Sequence, residues 1–124
     1  MEIGESRLGN LIVLQPSGRL DNLTSPEFQA RLLQLTAATT GDVVIDLAAV
    51  DYMSSGGLRA LGQASRQMTA DRRIGVCGLH ALVLEVFSIA HFEHVIPVFA
   101  SLDDARLAWA EPNRSESPDG GAGP

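Results

Sequence analysis

Two adjacent serines followed by two glycines, Ser54-Ser55-Gly56-Gly57, are the residues of this chain whose types and spacing are best placed to do chemistry. They lie between an apolar run and a helical stretch, so a hydroxyl stands where free backbone N–H groups emerge from a helix start. The plain structural role for such a serine is to cap one of those N–H groups, the glycines permitting a tight strand-to-helix turn. The other role is an exposed hydroxyl that a second molecule can reach. Hydrolysis does not fit the pattern, because the segment is not G-x-S-x-G and no motif places a base beside it. His80, His91 and His94 are the only histidines. His91 and His94 have the spacing of a ligand pair but no third partner, so neither a metal nor another cofactor is expected. No lysine follows the glycines, which excludes a P-loop.

The surrounding composition narrows the function further. The chain has 124 residues and a formal net charge of −6. That length suits one domain with a sizeable core. All nine basic residues are arginines, and they are scattered. Counterion release on nucleic acid needs clustered positive charge. Arg72-Arg73 and the helical neighbours Arg59 and Arg66 read instead as a solvated face, and no nucleic-acid partner is expected. The single cysteine, Cys77, excludes an internal disulfide and points to a reducing compartment. Set within Ile74-Gly75-Val76-Cys77-Gly78, it reads as a buried thiol. The N-terminus has no signal-peptide pattern, and no segment approaches the roughly 18 to 20 apolar residues of a membrane span. A cytoplasmic protein without membrane insertion is the expectation, and an acidic domain with no obvious apolar patch is expected to be a monomer.

The elements that must position Ser55 follow from periodicity and turn signals. A weak first strand within Glu2 to Leu8 and a second from Leu11 into Gly18-Arg19-Leu20 form a hairpin. Pro16 makes the second strand irregular or places it at an edge. A helix starts within Asn22 to Pro26, with Thr24 and Glu27 at capping-box spacing and Ser25 as the alternative cap. Its Phe28, Leu32 and Leu35 face the core. Val43 to Leu47 reads as a central strand buried on both faces. After Met53 and the serine turn, a second helix runs to about Ala70, with Leu58, Leu61, Ser65 and Met68 inward. Arg73 to Cys77 is a strand. His80 to Ala90 is a helix with Leu82, Val86 and Phe87 facing in, and Val95 to Phe99 is a last short strand. Ser101 caps a terminal helix whose dipole Asp103 and Asp104 complement. The order implies an α/β domain over residues 1–110 with a mixed sheet of about four or five strands and about four helices, mostly on one face. Residues 111–124 are almost purely polar, Gly and Pro, and read as a disordered tail.

Gly18-Arg19-Leu20-Asp21, Val44-Ile45-Asp46-Leu47 and Val50-Asp51-Tyr52-Met53-Ser54-Ser55-Gly56-Gly57-Leu58-Arg59-Ala60-Leu61 occur in an order and spacing that resembles the STAS family, across roughly Leu8 to Ala110. The family comprises sulfate-transporter tails and bacterial anti-sigma factor antagonists. The resemblance implies a non-catalytic partner switch. The unmodified antagonist binds an anti-sigma factor, a serine kinase of the histidine-kinase-like ATPase class. That kinase phosphorylates the loop serine, and a phosphatase resets it. The matching acceptor is Ser55, with Ser54 the second choice, because the residue before the acceptor is commonly Asp and here is Ser54. Asp21 and Thr24, in the neighbouring loop, are expected to share the partner surface with Ser54, Ser55, Gly56, Gly57 and Arg59. The same resemblance leaves two other roles open, an accessory subunit of a lipid-transport ATPase complex and a stressosome-like scaffold component.

Overall fold

A computed structural model describes residues 1–109; the expected tail, 111–124, lies outside the described residues. The elements in chain order are β1 (Glu2–Leu8), β2 (Leu11–Leu20), α1 (Ser25–Ala38), β3 (Val43–Asp46), β4 (Val50–Met53), α2 (Ser55–Gln67), β5 (Ile74–Cys77), α3 (Ala81–Ile89), a 3-10 turn (Phe92–His94), β6 (Val98–Phe99) and α4 (Leu102–Ala108). The sheet runs β1-β2-β3-β5-β6, with β4 joined to β2 off that path. Only β1 is antiparallel to its neighbour. The expected α/β class and mixed sheet are what the chain forms, with one strand, β4, that periodicity did not disclose.

Alternation along the strands divides the core into two layers. Ile12 and Leu14 of β2 join Val43 and Ile45 of β3 beneath Phe28, Leu32, Leu61, Val83 and Phe87 of α1, α2 and α3. Leu11, Val13, Val44 and Cys77 face the other way, against Ala105 of α4 and Trp109 just after it. Three helices therefore cover one face and α4 the other. Burial on both faces explains the unbroken apolar run of β3, and burial pushes the Cys77 thiol up to about 12, with Asp46 adding to the effect. Cys77 behaves as a small apolar residue.

The irregularity expected of β2 has a definite cause. Leu14 is the last β2 residue in register with β3, and Gly18 is the first in register with β4. The N–H groups of Ile12 and Gly18 donate to Asp42 and Ala49 on that side. By the strand's two-residue alternation Pro16 faces the same side, at the gap between the two partners, where a missing N–H breaks no ladder. Gly18, at φ +101°, then takes up the register shift.

Several local expectations need correction. Leu82 is 66% exposed, and Val83 is the buried residue beside Phe87. The last strand is only Val98–Phe99; residues 95–97, expected to belong to it, form the irregular connection that follows the 3-10 turn Phe92–His94. Thr24 makes no capping bond to α1. Arg72-Arg73 is not a solvated face. Arg72 donates from Nη1 to the Thr36 carbonyl at 2.8 Å, from Nε to the Gly41 carbonyl at 2.9 Å and from Nη2 to Thr39 Oγ1 at 3.0 Å. It closes the C-terminal end of α1, where a cation also meets the negative end of the helix dipole. Arg73 grips Asp42 through Nε and Nη2 at 3.0 and 2.7 Å, while its backbone N–H donates to the other carboxylate oxygen.

We expect Arg72→Ala to lower stability by about 2 kcal/mol, because it strands carbonyls that a charged donor now serves. In a domain this size that is a fall in Tm of roughly 8 °C in a calorimetric scan. A loss within 1 °C would show that water replaces Arg72 without cost.

Candidate functional site

The site begins where β2 and β4 run side by side. Arg19 is in register with Tyr52 and Leu20 with Met53, and the Ser54 N–H donates to the Leu20 carbonyl at 2.8 Å. The loop after Leu20, which carries Asp21 and Thr24, is thereby set beside the turn after Met53.

Ser54 is the N-cap of α2. Its backbone is extended at φ −93° and ψ 176°, and its Oγ accepts the Gly56 N–H at 3.2 Å. Its carbonyl accepts the N–H groups of Gly57 and Leu58. Every polar group of Ser54 is engaged, and the residue is half-buried. Ser55, the first helical residue, is exposed, and its side chain makes no hydrogen bond among the described residues. The two hydroxyls left open as alternatives are thus chemically distinct: one is the cap, and the other is free. No acidic residue stands in the first turn of α2, so the helix itself supplies no carboxylate to offset the positive end of its dipole beside Ser55.

Gly56 and Gly57 are buried rather than offered to a partner. A Cβ on Gly56 would stand 3.0 Å from Ser25 Oγ and 3.1 Å from Ser25 Cβ, so the start of α2 sits directly on the start of α1. Ser25 is 5% exposed, and its hydroxyl has no hydrogen-bond partner among the described residues. Gly56 lets the two helix starts approach this closely, while Gly57 seats α2 against Met53 of β4 and Leu20 of β2.

The neighbouring loop is tied down by its own polar groups. Asp21 Oδ1 accepts the N–H groups of Leu23 and Thr24 at 2.9 and 3.1 Å, and the Ser25 N–H donates to the Asp21 carbonyl. The Thr24 hydroxyl donates to the Arg19 carbonyl and accepts the Asp21 N–H. The Thr24 N–H, more than any other group, holds the Asp21 carboxyl below its ordinary value. Asp21 and Thr24 therefore shape the loop, and what they hold out is Leu23, 90% exposed at its tip. Beside it the Arg19 guanidinium lies 4.2 Å from the centre of the exposed Tyr52 ring. Leu23 and Tyr52 escaped the sequence reading. A leucine within Asp21-Asn22-Leu23-Thr24, outside any helical stripe, was the available signal.

The histidines are employed elsewhere. His80 Nε2 meets the Ala48 carbonyl at 2.6 Å, and the His91 and His94 rings stack on each other. A cavity of about 720 Å³ opens at the opposite end of the sheet, between Leu8, Thr40, Asp71 and Trp109. Its two arginines are already paired, Arg73 with Asp42 and Arg106 with Asp103. Among the described residues no helix is long and apolar enough to cross a membrane.

The family model described as the STAS domain matches residues 6–105, and the chain belongs to that family. BtrV of Bordetella bronchiseptica, provisionally named an anti-sigma factor antagonist, is 26% identical over 88% of this chain and 95% of its own. An anti-sigma factor antagonist from Mycobacterium paratuberculosis superposes with a TM-score of 0.84 at 23% identity, covering 89% of this chain and 94% of that one. The unphosphorylated form of the anti-sigma factor antagonist SpoIIAA, a Bacillus cell fate determinant, gives a TM-score of 0.64 at 13% identity, over 88% of this chain and 97% of the other. The phosphorylated form of SpoIIAA gives 0.62 at 15% identity, over 86% and 98%.

The three serines at the site should respond differently to truncation in urea unfolding. Ser54→Ala loses the cap and costs about 1 kcal/mol. Ser25→Ala removes a buried hydroxyl without a partner and gains up to about 1 kcal/mol. Ser55→Ala changes stability by less than about 0.5 kcal/mol. Equal losses at Ser54 and Ser55 would contradict the assignment of cap and free hydroxyl.

Proposed function

We propose that the protein is an anti-sigma factor antagonist working by partner switching. Unmodified, it binds an anti-sigma factor that is a serine kinase of the histidine-kinase-like ATPase class, and sigma factor goes free. The kinase moves the γ-phosphoryl group of ATP to Ser55: an O–P bond forms at Oγ, the hydroxyl proton leaves and ADP departs. The modified antagonist then loses its partner, and a phosphatase returns it by hydrolysis.

The observation that carries this reading is the free, exposed hydroxyl of Ser55 beside a neighbour whose hydroxyl is spent on the cap. Membership of the STAS family supports it, as do the names of the similar proteins. A structural relative known in unphosphorylated and phosphorylated forms is consistent with a fold that accepts the charge. Phosphate brings about −1.5 to −2 charges. At the start of α2 it meets the favourable end of the dipole, so the domain need not rearrange. A partner packed over the hydroxyl meets new bulk and an altered charge, and a loss of about 3 kcal/mol weakens binding more than a hundredfold. Leu23 and Tyr52 give that partner an apolar contact on the flank.

The test is calorimetric titration with the cognate anti-sigma kinase. Ser55→Ala should bind like the wild type and resist release by ATP. Ser55→Asp should bind at least tenfold more weakly while keeping or slightly raising its own Tm. Wild-type affinity in Ser55→Asp would refute the mechanism.

A further inference from the structure

Helix α2 carries two charged residues, Arg59 and Arg66, and no acidic one. Ser55, Arg59, Gly62 and Arg66 recur at i, i+4, i+7 and i+11, which places all four within an arc of roughly 60°. Ser55, Arg59 and Arg66 are exposed along that line. Gly62 is buried because the Phe92 ring lies over it, 3.5 Å from where a Cβ would stand. Arg66 Nη1 is equally close to that point, so the Arg66 side chain lies back along the helix toward Arg59. Arg19, Arg31, Arg73 and Arg106 each pair with a carboxylate. Arg59 makes no ion pair or side-chain hydrogen bond among the described residues. A chain of net charge −6 thus keeps an uncommitted guanidinium one helical turn below its free serine.

We propose that Arg59 is the receiver for a phosphate carried on Ser55, so that the modified site closes on itself. The proposal rests on Ser55 as the modified residue and adds where the charge goes. Side chains four apart on a helix face each other, and the anion-first order is the favourable one along the dipole. Arginine meets phosphate through a planar fork of donors, which a lysine would lack. The consequence for docking is a change of sign. Unmodified, the line from Ser55 to Arg66 presents two positive charges, suited to an acidic face on the partner. Phosphate adds about −1.5 to −2 and cancels them. The switch then operates by withdrawing Arg59 from the partner as well as by bulk at the hydroxyl.

The test needs no kinase. The full chain is produced with phosphoserine placed at position 55 during translation, and its phosphate is titrated by 31P NMR at low salt. The second pKa of the phosphate should lie roughly 0.2 to 0.4 unit lower with Arg59 than in Arg59→Gln. Arg59→Lys should recover part of the difference, 0.5 M NaCl should shrink it, and Arg66→Gln should shift the phosphate far less. Identical titrations for wild type and Arg59→Gln would overturn the proposal, as would a larger effect from Arg66→Gln. Because the phosphate is installed directly, a kinase that ignores Ser55 would count against the proposed function and leave this readout standing.

Discussion

The site depends on a change of partner within one strand. β2 leaves β3 after Leu14 and takes up β4 from Gly18 onward, and the hydrogen bond from the Ser54 N–H to the Leu20 carbonyl continues that pairing past the end of β4. This join sets the loop of Asp21 and Thr24 beside the start of α2. Were β2 to follow β3 along its whole length, the two loops would emerge from separate strands with no fixed relation. Pro16 and Gly18 are the residues that allow the transfer. One has no N–H to strand at the gap, and the other accepts a backbone conformation closed to other residues.

Beyond the join, the local chemistry divides labour between neighbours. Ser54 spends its hydroxyl, N–H and carbonyl on fixing the helix start, which leaves Ser55 without a structural duty. Asp21 and Thr24 spend their polar groups on each other and so hold Leu23 outward. A glycine at position 56 lets the starts of α1 and α2 meet closely. Such packing suits a switch in which charge alters an interface while the carrier keeps its shape. Ser25, buried at that contact, has no hydrogen-bond partner for its hydroxyl among the described residues.

How much of this could be read from the chain varied with the physics of each segment. The β-branched run of β3 and the 3.6-residue stripe of α1 declare themselves, because both are buried continuously along one or two faces. The strand β4 does not. It is four residues long, and its Asp51 and Tyr52 are exposed, so neither alternation nor an apolar run reveals it. In α3 apolar residues stand at 81 to 84, 86, 87 and 89, a pattern with too little contrast to give a phase, so the spacing points Leu82 inward where the structure buries Val83. Arg72 and Arg73 resembled solvent-facing charge because their acceptors, the end of α1 and Asp42, lie some thirty residues earlier in the chain. The serine turn was legible as a place. Which serine caps and which stays free depends on where each Oγ points, and sequence spacing carries no record of that.

The most direct measurement is site mapping by mass spectrometry after incubation with ATP and the histidine-kinase-like anti-sigma factor that binds the chain. The account predicts a single phosphate, on Ser55, in the wild type and equally in Ser54→Ala. Phosphate on Ser54 or Thr24 with Ser55 bare would contradict it, as would a chain that the binding kinase leaves unmodified.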